Sequence, residues 1–141
     1  MLKTVSWALV ALAAVLTLLA SLVSFGVAYR GAGDEFGVGG PKLSDVASWN
    51  PEVAIAIRAR RATASAYATG WSLLLLLVTL LPYRRGERWA WWAILAATVV
   101  PAALSLLRIP FLDTRLGAST VLIQAGVVVL GLLLDVGRLR R

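Results

Sequence analysis

Apolar residues in this chain are gathered into four runs that are separated by polar segments. The runs extend approximately over residues 5–28, 62–81, 89–107 and 118–134. Each approaches the roughly twenty residues that an α-helix needs to cross a hydrocarbon core of about 30 Å. The pattern therefore predicts an all-α integral membrane protein, a four-helix bundle that forms one transmembrane domain over residues 1–141.

The first run also has features of a secretory signal, because Lys3 precedes the apolar stretch. A signal core has about 7–15 apolar residues and is followed by a small-residue cleavage site. Here the apolar run continues to Ala28, and no good cleavage site precedes Arg30. We therefore expect a retained first span. Its hydroxyl residues share one helix face, which should pack against neighbouring helices: Thr17, Ser21 and Ser24.

Residues 30–50 form the only long polar segment. Its glycines and Pro41 oppose regular structure, so it is predicted to be a surface loop. Residues 43–49 fit a short interfacial helix with Trp49 at headgroup depth. An alternative interpretation is that this loop is a lid over a cavity between the helices.

The second helix is predicted to begin at Asn50, which caps it, with Pro51 at the first helical position. No breaker follows until Pro82, so the helix is longer than the hydrocarbon core needs. Its first turns, which carry Arg58 and Arg61, are expected to project beyond the bilayer.

Small residues follow one another at four-residue intervals in this helix, at Ala62, Ala66 and Gly70. Such a row lets another helix approach closely, so it predicts tight packing. Trp71 follows at about mid-membrane, away from the interface where Trp usually lies. Packing inside the bundle explains this position, and contact with a bound apolar molecule is the alternative.

Basic and aromatic residues mark the turn after the second span. Arg84, Arg85 and Arg88 are followed by a predicted aromatic belt of Trp89, Trp91 and Trp92. With both termini placed in the cytoplasm, equal numbers of basic residues fall on the cytoplasmic and outer sides. The short turn after the second span is densely basic and would be cytoplasmic, and basic residues in a long loop have less influence on orientation. The cluster from Arg58 to Arg61 would then lie outside, which opposes this orientation. We predict a multi-pass protein of the cell inner membrane with both termini cytoplasmic.

Composition excludes several kinds of chemistry. The chain has no Cys and no His, and Met1 is its only Met. Disulfide exchange, thiolate catalysis, haem ligation and ordinary zinc sites therefore have no side chains to use. The seven acids are scattered, so we expect no metal and no cofactor. The net charge of +7 lies beside apolar runs, which indicates membrane lipid and no nucleic acid as partner.

Two groups of residues are candidates for binding a lipid or another ligand. Arg58 and Arg61 share a helix face and suit an anionic headgroup, a specific anion, or pairing with acids. The acids considered are Asp34, Glu35, Asp45, Glu52 and Asp113. The second group is Gln124 with Thr120 one turn away. The amide is expected to bond another helix, for example at Thr98, Ser72 or Thr79, and a ligand contact is the alternative.

The stretch from Asn50 to Trp92 carries a resemblance to a known group. It reads NPE…R…Y…G-W-S-L-L-L-L and is followed by RRGERWAWW. The chain resembles small bacterial four-span membrane proteins of unknown function, near the DoxX-like families. The resemblance implies a four-span helical fold and supplies no catalytic residues.

Three functions are compatible with these features. The leading hypothesis is a non-enzymatic bundle that binds lipid or another apolar molecule, or supports a partner membrane protein. The first alternative is a small oligomeric transporter or channel, lined by Thr17, Ser21, Ser24, Thr98 and Gln124. No acid lies inside a span, which opposes proton-coupled antiport. The second alternative is a lipid-modifying enzyme that uses Asp or Glu with the arginines.

Overall fold

The computed structural model describes residues 2–30 and 42–140. Within these ranges the chain is almost entirely helical and forms no β-strand, which confirms the all-α class. Three helical segments are long and apolar enough to cross a membrane, judged by length and composition: Lys3–Arg30, Pro51–Tyr83 and Arg88–Leu112.

The helices cover the four apolar runs. In chain order they are α1 (Leu2–Arg30), α2 (Leu43–Trp49), α3 (Pro51–Val78), α4 (Arg88–Leu106), α5 (Arg108–Leu112) and α6 (Ala118–Leu133). A π-helical turn, Thr79–Tyr83, extends α3, and a 3-10 turn, Val136–Arg140, follows α6. With 16 residues, α6 is shorter than the other apolar helices.

The predicted start of α3 is confirmed. The Asn50 side chain accepts a hydrogen bond from the backbone N–H of Val53 at 3.2 Å, and Pro51 is the first helical residue. This arrangement satisfies one of the backbone donors that a helix N-terminus leaves unpaired. The short helix predicted before it is present as α2, which packs against α3.

The helical chain passes Pro82, although the sequence marks this residue as a breaker. Pro82 lies inside the π-helical turn, and helical structure continues to Arg85. Proline lacks an N–H and its ring clashes with the preceding turn, and a wider π turn accommodates both. The chain then reverses at Gly86, which has φ +99°. The π turn places Tyr83 in the core, where its side chain is fully buried.

The core lies where α1, α4, α6 and the end of α3 meet. α1 contacts both α3 and α6, and α4 contacts α6 and the π turn. Fully buried apolar side chains come from each of these elements: Val10, Tyr83, Ile94, Val128 and Leu132. Trp91 is also buried there, and its indole N–H donates to the Leu132 carbonyl at 3.0 Å. The predicted aromatic belt is therefore wrong for Trp91, whereas Trp89 and Trp92 are exposed.

Hydroxyl side chains connect α1 to α3, as the sequence predicts for the shared face of α1. The Ser21 and Thr69 hydroxyls lie 3.0 Å apart, and so do the Ser65 and Ser24 hydroxyls. Arg61 extends this row by donating from Nε to the Ser24 hydroxyl at 3.2 Å. Small polar residues thus hold the two helices close, with their own hydrogen bonds satisfied.

The small-residue row of α3 does not hold another helix. Gly70 is exposed, and a Cβ built on it would meet no atom within 4 Å. The prediction that this row mediates packing within the chain is wrong, because the face of Ser65 and Thr69 turns toward α1 instead. The close helix approach is at Gly131 of α6. A Cβ there would lie 3.0 Å from Val10 Cγ2 and 3.3 Å from the Ser6 carbonyl oxygen.

Candidate functional site

A central cavity of about 360 Å³ lies among α1, α3, α4 and α6. Its volume falls within the range of about 300–1,000 Å³ that is typical of small-molecule sites. Most of the surface that faces it is apolar, and six of its eleven lining residues also carry a polar group: Thr17, Tyr67, Trp71, Thr98, Ser105 and Gln124. Two of the sequence-predicted residues, Trp71 and Gln124, are therefore brought to one place.

Gln124 has a well-defined hydrogen-bonding role in this cavity. Its side-chain N–H donates to the Thr17 hydroxyl at 2.9 Å. That hydroxyl donates its only proton to the Ala13 carbonyl at 2.7 Å, so it can only accept from the amide. This fixes which end of the amide faces Thr17. The amide oxygen of Gln124 makes no hydrogen bond to any residue that the structure describes, and it remains an available acceptor.

The expected partners of Gln124 were wrong. Thr98, Ser72 and Thr79 each donate to a carbonyl one turn earlier in their own helix, at 2.6–2.8 Å. These bonds use the hydroxyl proton locally, which is the usual way for a hydroxyl within a helix to be satisfied. The sequence does not specify which of several hydroxyls a mid-helix amide will meet, because that depends on how α6 lies against α1.

Trp71 contributes an unused donor. Its ring lines the central cavity, and its indole Nε1 is buried without a hydrogen-bond partner in the described part of the chain. A buried donor left unpaired costs about 1–3 kcal/mol. The lining of the cavity therefore offers one available acceptor, on Gln124, and the unpaired indole donor is covered by protein atoms in the wall that Trp71 forms.

A second, more apolar groove of about 570 Å³ runs between α1 and α6. Thr120 lies on it with leucines of α1, and both Thr17 and Gln124 line it as well as the central cavity. The hydrogen-bonded pair of Gln124 and Thr17 therefore lies in the wall between the central cavity and this groove. The structure brings Thr120 and Gln124 to the same groove, as their spacing on one helix face predicts.

The arginine pair lies apart from these cavities. Ten residues of α3 separate Arg61 from Trp71, which is about 15 Å along the helix. Arg61 is half-buried against Ser24, whereas Arg58 is exposed. Of the acids considered as their partners, Asp34 and Glu35 lie outside the described residues. Most of the segment proposed as a lid also lies outside them.

A buried polar cluster at the other end of the molecule was missed by the sequence reasoning. Arg138 and Asp135 form an ion pair, and both side chains are buried. Arg138 also donates to the Tyr83 carbonyl and stacks 4.1 Å above the Tyr83 ring. The Tyr83 hydroxyl lies 2.6 Å from the Ser6 hydroxyl. The only available signal was the spacing of three between Asp135 and Arg138, which is common on helix surfaces.

No protein-family model, curated protein or solved structure matches this chain. The resemblance to small bacterial four-span membrane proteins therefore stays a prediction, and the site is interpreted from its own geometry.

Proposed function

We propose that this protein is a non-enzymatic, four-helix transmembrane bundle that binds an apolar molecule bearing a hydrogen-bond acceptor. The ligand class includes lipids with ester carbonyls. The observation that carries the proposal is the buried, unpartnered indole N–H of Trp71 beside the central cavity. A small rotation of the Trp71 side chain, which lines the cavity, would bring this donor to an acceptor atom of the ligand, and the apolar part of the ligand would fill the cavity.

The polar groups of the cavity are few, as is usual where they orient an otherwise apolar ligand. The Gln124 amide is held by Thr17, so its free oxygen has a fixed position next to the groove between α1 and α6. That groove has a volume of about 570 Å³ and an apolar lining that suits an acyl chain. The arrangement supports a lipid or lipid-like molecule better than a polar metabolite.

Two of the hydroxyls considered as the lining of a transport path, those of Ser21 and Ser24, form hydrogen bonds between α1 and α3. Ser21 is buried and bonded with Thr69, and Ser24 is bonded with Ser65 and accepts from Arg61. Because these groups connect α1 to α3, they favour a packed interface over a hydrated path. Binding therefore ranks above transport in this proposal, and support of a partner membrane protein remains compatible with it.

The membrane placement belongs to the same proposal. Three helices have the length and hydropathy of membrane spans, and α6 packs against α1 and α4 as the fourth. Although α6 has 16 residues, Leu134 keeps helical dihedral angles and a 3-10 turn follows. We infer a multi-pass protein of the inner membrane with both termini cytoplasmic. The clustering of Lys3, Arg84 and Arg138 at one end supports this orientation.

Ligand retention tests the binding proposal. The protein would be purified in mild detergent from cells, and its bound apolar molecules would be measured by native mass spectrometry and identified after organic extraction. Trp71→Phe keeps the ring but removes the donor, so retention should fall. Trp89→Phe is the matched control, since Trp89 is exposed and away from the cavity. Absence of any retained molecule, or equal retention by both variants, would refute the proposal.

Orientation is tested by labelling single cysteines in this cysteine-free chain. Asp45 lies in α2, ahead of the start of α3, and Arg88 is the first residue of α4, beyond the other end of α3. Both side chains are exposed, so each position accepts a cysteine. In intact cells an impermeant thiol reagent should label Asp45→Cys and should label Arg88→Cys only after lysis. The reverse pattern would invert the orientation and leave the binding proposal standing.

A further inference from the structure

A basic cavity of about 350 Å³ lies at the end of the molecule opposite to Arg58 and Arg61. It is formed by the start of α1, the turn between α3 and α4, and the 3-10 turn after α6. None of its lining side chains is acidic, and Thr4 adds a hydroxyl. Four of the lining side chains are cationic: Lys3, Arg84, Arg85 and Arg138.

Two of these cations are held in place by the fold. Arg138 is buried by its ion pair with Asp135 and its stacking on Tyr83, and its Nε has no partner among the described residues. The Arg84 guanidinium carbon lies 5.0 Å from the centre of the Trp7 ring, within range of a cation–π interaction. Pre-positioned guanidinium groups lose less conformational entropy when they bind an anion.

Within residues 2–30 and 42–140, a single acid pairs with the cations around this cavity. Asp135 pairs with Arg138, and none of the other cations that line the cavity forms an ion pair with a described acid. Glu87 is the nearest acid in sequence, and its carboxylate accepts from the Trp89 indole instead. Lys3, Arg84 and Arg85 therefore bring three positive charges to one concave space without an ion-pair partner among the residues that the structure describes.

We infer that this cavity is a binding site for a phosphate-bearing anion. Guanidinium groups suit phosphate because their planar donors match its oxygens, and a lysine adds a point charge. The half-buried Trp7 provides an apolar wall next to these donors. The same chemistry fits the headgroup of an anionic phospholipid or a soluble phosphate, and basic pockets between membrane helices commonly recognise headgroups.

The test compares two pairs of arginines in the full-length protein. Arg84→Gln with Arg85→Gln removes two charges from the cavity, and Arg58→Gln with Arg60→Gln removes two exposed charges from the far end. Two probes would be measured in non-ionic detergent. Phosphatidylglycerol retention, relative to phosphatidylcholine, is followed by native mass spectrometry, and inorganic phosphate binding is followed by equilibrium dialysis.

The wild-type protein should bind at least one probe, and the Arg84/Arg85 variant should bind it about tenfold more weakly or worse. That is the change expected from losing one charge-assisted hydrogen bond. The Arg58/Arg60 variant should bind as the wild type does. Binding of phosphatidylglycerol alone identifies a headgroup site, and binding of inorganic phosphate identifies a site for the soluble anion.

Two results would overturn the inference: no binding of either probe by the wild type, or an equal loss in both arginine pairs. Helical circular dichroism would verify that the variants are folded. Lys3→Gln is a second, single change at an exposed lining residue and should weaken binding several-fold even if the double variant does not fold. Trp71→Phe should leave this binding unchanged, so the outcome is independent of the central cavity.

Discussion

Replacing Gly131 by Ala tests a close contact between α1 and α6. The added Cβ would lie 3.0 Å from Val10 Cγ2, 3.3 Å from the Ser6 carbonyl oxygen and 3.5 Å from Leu9 Cβ. Carbon atoms in good contact are about 3.5–4.0 Å apart, so α1 and α6 must separate by several tenths of an ångström. Val10 is fully buried and has no space into which it can rotate freely.

The change in the free energy of unfolding caused by Gly131→Ala is the sum of two opposing effects. Overpacking a well-packed interior costs about 1–3 kcal/mol, while Ala in place of Gly within a helix contributes up to about 1 kcal/mol of stabilisation. Gly126 of the same helix provides the control, because a Cβ there would meet nothing within 4 Å. The helix-propensity gain is common to both variants. Gly131→Ala should therefore be less stable than Gly126→Ala by about 1–3 kcal/mol.

The free energy of unfolding would be measured in mixed micelles by titration with a denaturing detergent, with helical circular dichroism as the signal. A second measurement locates the clash. Val10→Ala should cost less stability in the Gly131→Ala background than in the wild type, which a double-mutant cycle would record as favourable coupling. Equal stability of the two Ala variants, or zero coupling with Val10, would show that α1 and α6 do not approach closely at Gly131.

Three further changes have defined outcomes. Asp135→Asn should destabilise the protein by about 3–5 kcal/mol in the same titration, because it leaves the buried Arg138 unpaired. A loss of stability below about 1 kcal/mol would contradict the burial of this ion pair. Gln124→Leu should cost only about 0.6–1.7 kcal/mol, since Thr17 keeps its bond to Ala13; a larger loss would mean that the amide has further partners. Arg61→Lys should cost about 0.5–1.5 kcal/mol through its bond to Ser24, whereas the exposed Arg58→Lys should be silent; equal effects of these two would restore the view that both arginines only meet headgroups.

The positions of the helices follow from the sequence with little help from tertiary structure. Runs of apolar residues fix where long helices form, because their length and composition are local properties. The cap at Asn50 is likewise local, since the residues that make it are adjacent in the chain. The hydroxyl face of α1 was predictable for the same reason, because spacings of three and four define a helix face.

Tertiary structure alone decided which faces meet and therefore where the candidate sites lie. The row of Ala62, Ala66 and Gly70 has the spacing of a packing motif, yet the neighbouring face of α3 turns toward α1. In an apolar helix almost every face is hydrophobic, so periodicity cannot rank the faces as it does in an amphipathic helix. The rotation of α3 about its axis had to come from its contacts with α1.

The sequence also does not select the partners in hydrogen bonds between distant segments. Gln124 and Thr17 are separated by 107 residues, and Tyr83 and Ser6 by 77. Each has several chemically equivalent partners in the sequence, and only the packing of the helices selects one. Composition determined that the protein has no thiol or imidazole chemistry and an excess of positive charge. The fold determined that three of those charges, on Lys3, Arg84 and Arg85, share one cavity, because the turn after the π-helical segment brings them beside the start of α1.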